Sequence, residues 1–356
     1  MTSPGSRATC RAAVFSAVGQ PIEIREVAVP QPGPREALVR ITCCTICGSD
    51  LHTFSGARSS PMPTVLGHEI IGEVEAVNEG EFVLTDVAGQ ALEVGDRVTW
   101  SVAASCGSCH RCEGGIPQKC QTLFKYGHEV CMKDHELSGG LAEYCLLQAG
   151  TAVVKLPSEL PDAIACPANC ATATVAAAER SAGDLAGKRV LVFGAGMLGL
   201  TTCAFATAAG AADVSLCDVN EERLAQGARF GATSLLRTVT TDNYDSVFEM
   251  SGHPLAVQSA MNAANIGGTV VLVGSVSPSG TVAVDPERIV RRLLSIHGVH
   301  NYRPGDLLTA VRFLEEHHQQ FPFAELVQKS FSLADVNEAF QFAVTNRPIR
   351  VAVIPY

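Results

Sequence analysis

Val190-Leu191-Val192-Phe193-Gly194-Ala195-Gly196-Met197-Leu198-Gly199 is the stretch that decides how this chain folds. A short apolar run rich in valine reads as a buried strand. It ends in Gly-x-Gly-x-x-Gly and passes into an alanine-rich segment of helical character. Gly194 permits a tight turn, Gly196 lets the backbone approach a pyrophosphate at the helix N-terminus, and Gly199 lets helix and strand pack closely. No charged residue occurs from Val190 to Ala212, a length that could cross a bilayer. Gly194, Gly196, Gly199 and Gly210 and the change of texture after Phe193 argue instead for strand, turn and helix.

Outward from this stretch, strand-like and helix-like runs alternate. Val214–Cys217 precedes Glu221–Phe230, Ser246–Met250 precedes Leu255–Asn265, and Thr269–Gly274 closes the series. Such alternation predicts a doubly wound parallel sheet with helices on both faces. Asp218 ends the second strand, where a carboxylate accepts hydrogen bonds from ribose hydroxyls and repels a 2′-phosphate, so NAD is expected over NADP. Arg223 borders the adenine or assists a phosphate. Before residue 155 the texture differs: short β-rich runs such as Ala37–Thr42, Ile70–Val77 and Arg97–Val102 lie between Gly, Pro and Asp turns. This predicts a mostly β domain. The tail carries two helical runs, Asp306–His317 and Leu333–Val344, and a last strand, Arg350–Ile354.

Composition sets the bounds. The 356 residues suffice for about two domains. A hydrophobic content of 47% against 17% charged excludes a disordered chain. The net charge of −10 makes nucleic acid and anionic membrane poor partners, because phosphates must be neutralised by Lys and Arg. No apolar signal segment is visible in Met1–Ala13, so a cytoplasmic protein with reduced thiols is expected. Fourteen cysteines then point to metal. Cys106-x2-Cys109-x2-Cys112-x7-Cys120 fits a closed tetrahedral zinc site that shapes a lobe and does no chemistry. An iron–sulfur run would end in a shorter gap followed by Pro.

Two further motifs precede these: Cys47-Gly48-Ser49-Asp50-Leu51-His52 and Gly67-His68-Glu69. With the four-cysteine lobe and the glycine motif following in order, the chain resembles the zinc-dependent alcohol dehydrogenases of the medium-chain dehydrogenase/reductase family. The resemblance implies an α/β architecture: a GroES-like β-rich catalytic domain over residues 1–165, a Rossmann domain over 166–300, and a return to the catalytic domain over 301–356. It implies Zn²⁺, two per chain, and NAD. Cys47 and His68 become ligands of a catalytic zinc. Cys170, with Thr174 four residues on, matches the third ligand, and Cys166 is the nearby competitor. Glu69 is a possible fourth. Two thiolates, one imidazole and an open position are the arrangement the chemistry needs to bind an alcohol oxygen before hydride leaves its carbon.

By the same resemblance, Ser49 and His52 relay the released proton, and Asp50 orients His68. Met197 and Leu198 open the helix that faces the pyrophosphate, and Arg350 reaches it. Thr174, Val273, Gly274 and Ser275 lie on the nicotinamide side. Phe54, Arg58, Leu123, Phe124, Lys125, Tyr126, His128 and residues 298–302 are candidates for the pocket wall. Leu123-Phe124-Lys125-Tyr126-Gly127-His128-Glu129 resembles a subgroup associated with phosphonate catabolism. There Arg58, Lys125 and His128 would meet a phosphonate- or phosphate-bearing substrate; read structurally, they are solvated loop charges. The resemblance thus implies an NAD-linked alcohol dehydrogenase acting on a small alcohol or aldehyde, with no nucleic acid or membrane partner. Polyol and amino-alcohol dehydrogenases of sorbitol or threonine type are the near alternatives, and a non-catalytic zinc and NAD-binding protein the distant one. A homodimer or homotetramer is expected, with Thr269–Gly274 pairing across subunits.

Overall fold

The computed structural model describes residues 8–78, 83–132, 135–277 and 280–356. The chain divides into two units. One runs up to Cys170 and takes in Arg303–Glu315 and Phe323–Tyr356; the other is Ala171–Tyr302 with Glu316–Pro322.

In the first unit, Ala37–Ile46 is the organising strand. It pairs antiparallel with Glu69–Val77 along most of its length, with Tyr144–Leu147 at its start and with the C-terminal strand Arg350–Ile354 at its end. The tail therefore completes a sheet that the N-terminal half begins. Arg97–Ala104 extends the sheet beyond Glu69–Val77, and Thr151–Lys155 pairs with it. A smaller sheet joins Thr9–Phe15 to Glu23–Ala28 and Thr64–Val65. The core between them is aliphatic, with Trp100, Tyr126, Phe15 and Phe340 fully buried. Phe54 belongs to that core rather than to a pocket wall: its ring lies 5.7 Å from Phe15 and 4.8 Å from Phe340. Tyr126 is likewise interior, its hydroxyl held by Thr151 and Gln148.

The second unit is a six-stranded parallel sheet. Numbered along the chain from Arg189–Phe193, its strands stand in the order 3-2-1-4-5-6, the doubly wound arrangement with its switch point beside the first strand. Two of its strands were not read from the sequence, Ser234–Leu236 and Ser295–Gly298. Both are short edge strands, and both lack the continuous apolar run that marks a central one. The expected pairing of Thr269–Gly274 across subunits is corrected here. Its residues Thr269–Leu272 end the strand Ala264–Leu272, which already has Tyr244–Glu249 on one side and Ser295–Gly298 on the other.

Candidate metal and dinucleotide sites

Cys47 caps the N-terminus of the helix Gly48–Phe54, and Asp50 is the residue that ties this helix to the rest of the site. Asp50 Oδ2 accepts the Cys47 N–H at 2.9 Å, and Oδ1 accepts the Gly67 N–H at 3.2 Å. The same Oδ1 stands 3.2 Å from His68 Nδ1, and both side chains are buried. A proton on Nδ1 leaves the Nε2 lone pair for a metal. Ser49 Oγ lies 3.3 Å from that Nε2, on the side where an ion would sit. The donor atoms of Cys47, His68 and Cys170 all lie within 4.8 Å of one another. A hydrogen bond from the Cys170 thiol and the charge of Arg350 hold the Cys47 thiol well below its ordinary range, so the set favours a thiolate.

Cys166 does not join the group. Its thiol is buried and donates to Cys43 O at 3.4 Å and Glu69 O at 3.2 Å. Glu69 stays out as well, against the expectation of a fourth ligand. Its Oε2 accepts from Thr45 Oγ1 at 2.6 Å and Arg350 Nε at 2.7 Å, and its Oε1 from Arg350 Nη2 at 2.8 Å. Burial pushes this carboxyl upward and Arg350 pulls it back. Arg350, expected at the pyrophosphate, is the partner of this carboxylate. Its guanidinium is buried and turned inward, with Nη2 3.6 Å from Cys47 Sγ and Nη1 on Ile349 O. The short spacing from Gly67 to Glu69 could not show that the acid points away from the imidazole; that follows from the strand Glu69–Val77 beginning there and alternating its faces.

Cys106, Cys109, Cys112 and Cys120 form a second group within 4.8 Å. Neighbouring sulfurs lie 3.5 Å apart for Cys109–Cys112 and Cys106–Cys120, and 3.9 Å for Cys109–Cys120. A tetrahedral ion with bonds of about 2.3 Å sets its sulfurs about 3.8 Å apart, so the four thiols fit zinc as they stand. Hydrogen bonds from the backbone at Ser108 and the Cys120 thiol lower Cys106 to about 6.

In the second unit, Gly194 has a φ of +99° and turns the chain off the strand Arg189–Phe193. A Cβ on Gly199 would stand 1.7 Å from Gly194 O, so only glycine lets the helix Met197–Ala208 approach. Gly196, the N-cap, differs: a Cβ there would meet nothing within 4 Å. No internal packing asks for glycine, and the open space lies where a phosphate would meet the helix N-terminus. The Asp218 carboxylate is held at this loop, Oδ2 on Ala195 N–H at 2.6 Å and Oδ1 on Asn220 N–H at 2.7 Å. Met197 is buried and Leu198 half-buried on the first turn, and Arg223 stands on the next helix with its N–H on Asn220 Oδ1. Thr174 is half-buried on the helix Ala171–Ala182. Val273 and Gly274 donate to Glu249 O at 2.9 and 3.0 Å, and Ser275 is exposed beyond them.

The chain matches the family described as Alcohol dehydrogenase GroES-like domain over residues 33–158, and that described as Zinc-binding dehydrogenase over residues 198–316. It is 32% identical over 302 residues to an L-threonine 3-dehydrogenase of Deinococcus radiodurans, covering 79% of this chain and 80% of that protein. The chain belongs to the zinc-dependent alcohol dehydrogenases of the medium-chain dehydrogenase/reductase family. Another relative in it, the 5-exo-hydroxycamphor dehydrogenase of Pseudomonas putida, is 30% identical over 352 residues, 93% of this chain and 95% of that one. An alcohol dehydrogenase structure from Thermotoga maritima superposes with a TM-score of 0.90 at 25% identity, covering 98% of this chain and all of the other. A Sinorhizobium meliloti protein described as a zinc-binding dehydrogenase, solved with NADP, superposes at 0.84 with 26% identity over 98% of this chain and all of that one. With this family come zinc, a nicotinamide dinucleotide and oxidoreductase chemistry on alcohols. Among the described residues, no helix is long and apolar enough to cross a membrane.

Proposed function

We propose that the chain catalyses reversible NAD-linked oxidation of a small alcohol bearing an anionic group, at a zinc held by Cys47, His68 and Cys170. A second zinc is held by Cys106, Cys109, Cys112 and Cys120. The observation that carries the reading is the convergence of two thiols and one imidazole on a common point, with Ser49 Oγ at its edge. Zinc, when bound there, supplies a Lewis acid for the substrate oxygen, and the nicotinamide supplies the hydride acceptor. Ser49 Oγ takes the hydroxyl proton, and His52, exposed on the same helix, passes it to solvent. Asp50 keeps His68 in the tautomer that leaves Nε2 available. Gly196, Met197 and Leu198 present the helix N-terminus to the pyrophosphate, and Asp218 favours NAD by repelling a 2′-phosphate. Arg223 stands beside the adenine, and Thr174, Val273, Gly274 and Ser275 meet the nicotinamide.

The anionic group is argued from Lys125 and Arg58. Both are half-buried, and among the described residues neither has a side-chain ion pair. Burial and the charge of Arg58 lower the Lys125 ammonium, while Cys170 and Asp50 act on it in the opposite sense. Two such cations, Lys125 near Cys170 and Arg58 near Lys125, suit a carboxylate, phosphate or phosphonate. His128, expected as a third cation, is neutral instead. It is buried, its Nδ1 is 2.9 Å from Tyr126 O, and burial with Lys125 pushes it well below its ordinary range. The relatives named L-threonine 3-dehydrogenase support an amino-alcohol carrying a carboxylate. The phosphonate reading stands on Leu123–Glu129 alone.

The deciding experiment is steady-state oxidation of L-threonine, 2-hydroxyethylphosphonate and a neutral secondary alcohol, each with NAD and NADP. Preference for either anionic substrate with NAD is expected. Equal or better turnover of the neutral alcohol would overturn the anionic reading and leave the zinc reading intact. The reduced thiols this zinc chemistry needs accord with a cytoplasmic setting. Self-association is proposed through the open edge strand Ser295–Gly298, which is exposed along its length and flanked by exposed Val290 and Leu293.

A further inference from the structure

The strands Glu69–Val77 and Arg97–Ala104 pair from Glu73 opposite Arg97 to Ile71 opposite Thr99. Past that point the backbone groups need other partners. The Thr99 hydroxyl donates to Ile70 O at 2.9 Å. The side chain of Asn169 supplies the rest. Its Oδ1 accepts the Ile70 N–H at 3.2 Å, and its Nδ2 donates to His68 O at 2.9 Å and to Trp100 O at 2.8 Å. Asn169 is completely buried. A carboxamide carries the donor and acceptor of a peptide unit on one planar frame, so it can stand in for a missing peptide between two diverging strands. A carboxylate of the same shape would turn both donors into acceptors, facing two carbonyls.

The position of Asn169 gives this contact a second consequence. It directly precedes Cys170 and holds the carbonyl of His68. One side chain thereby ties together two of the three residues whose donor atoms converge. The turn that carries it, Cys166–Asn169, is buried throughout and is anchored at its other end by the Cys166 thiol on Glu69 O. Cys166 and Asn169 thus fasten the two ends of the turn to residues 68–70, and Asn169 is the one that bonds His68 itself and adjoins Cys170.

We propose that Asn169 is a positioning residue of the metal centre, setting the separation of Cys170 from His68. This rests on the reading that Cys47, His68 and Cys170 hold zinc. The test uses the zinc-loaded protein with Asn169→Ala and Asn169→Asp. The control is Asn337→Ala, because Asn337 also bridges backbone with its carboxamide, to Ile22 N and O at 2.8 and 2.9 Å, among residues that hold no candidate ligand. Zinc per chain is followed by mass spectrometry during timed chelation, and the visible spectrum is recorded after cobalt substitution. The Asn169 variants are expected to release the catalytic zinc about 10–100-fold faster than wild type, with displaced cobalt bands. Asn337→Ala should lower the melting temperature and leave release and spectrum unchanged. Wild-type release and an unshifted spectrum in both Asn169 variants would overturn the proposal. So would Asn337→Ala releasing zinc as fast as they do. Should Asn169→Ala fail to fold, Asn169→Ser is measured in the same way and carries the same two outcomes. A wild-type chain that holds only the lobe's zinc would overturn the zinc reading itself, and this proposal with it; two zincs in wild type kept by the Asn169 variants would overturn the positioning role alone.

Discussion

Asp50 shows how much one carboxylate can organise: it caps a helix, holds the Gly67 N–H and faces His68 Nδ1, all from a buried position. Replacing Cys47 by Ala should lower zinc from two per chain to one and abolish alcohol oxidation, with the far-ultraviolet circular dichroism unchanged. Persistent activity would support neither the ligand assignment nor the mechanism built on it. Lys125→Met should raise KM for an anionic substrate on the order of ten- to hundredfold and leave kcat nearly unchanged, since a charged hydrogen bond contributes ~1.5–3 kcal/mol. The pH dependence follows from the direction of the Lys125 shift. Its ammonium is held below the ordinary lysine range, so rising pH removes the charge early. KM for the anionic substrate should therefore climb on the alkaline side before an ordinary lysine titrates, and KM for a neutral alcohol should not. A KM–pH profile that is the same for both substrates would exclude Lys125 from the subsite.

At the scale of elements, Gly196 and Gly199, the last two of the three motif glycines after Phe193, answer to different forces. Gly199→Ala drives a Cβ into Gly194 O and should destabilise the protein by about 2 kcal/mol, within the range of overpacked interiors. Gly196→Ala meets open space, so its melting temperature should stay within a degree or so of wild type, as for substitutions that touch nothing. NADH fluorescence titration should nevertheless show a much weakened cofactor. If Gly196→Ala binds NADH normally, the pyrophosphate does not approach that backbone. The cysteine lobe is a different kind of element. It contains one short helix, His110–Glu113, and the turn Pro117–Lys119, neither with a buried residue. With so little apolar burial its conformation depends on the metal. Cys112→Ser should make the segment from 106 to 120 the first site of proteolysis, read by mass spectrometry of the earliest fragments.

For the whole molecule, the sheet edge at Ser295–Gly298 is the feature that calls for a partner. An exposed edge strand presents unpaired backbone groups, and here Ile296, Val290 and Leu293 add apolar surface at 37%, 70% and 71% exposure. Two copies pairing there about a twofold axis would cover both edges at once. Light scattering of wild type should give at least a dimer, and Ile296→Lys with Leu293→Lys should reduce it to monomer at the same concentration. A monomeric wild type would exclude this face as the contact.

The sequence by itself determined the parts whose meaning is local. Gly194, Gly196 and Gly199 dictate a turn wherever they occur after a buried strand, and Cys106, Cys109, Cys112 and Cys120 lie close enough in the chain to surround an ion. The alternation of strand and helix from Val190 to Leu272 likewise marks a parallel sheet, because each element declares its own period. Tertiary structure decided the rest. The spacing to Thr174 already favours Cys170 over Cys166, but the physical reason is tertiary: the packing of their turn sends one thiol to Cys43 O and leaves the other beside Cys47. Arg350 lies 281 residues from Glu69, and its inward turn becomes visible only once the last strand joins the sheet. Phe54, Tyr126 and His128 read as pocket or loop residues until their burial is known. Asn169 carried no motif at all. Its role exists because two strands diverge at one point and a carboxamide fills the gap. Pattern records local geometry, whereas hydrogen-bond partners distant in sequence are set by which surfaces meet.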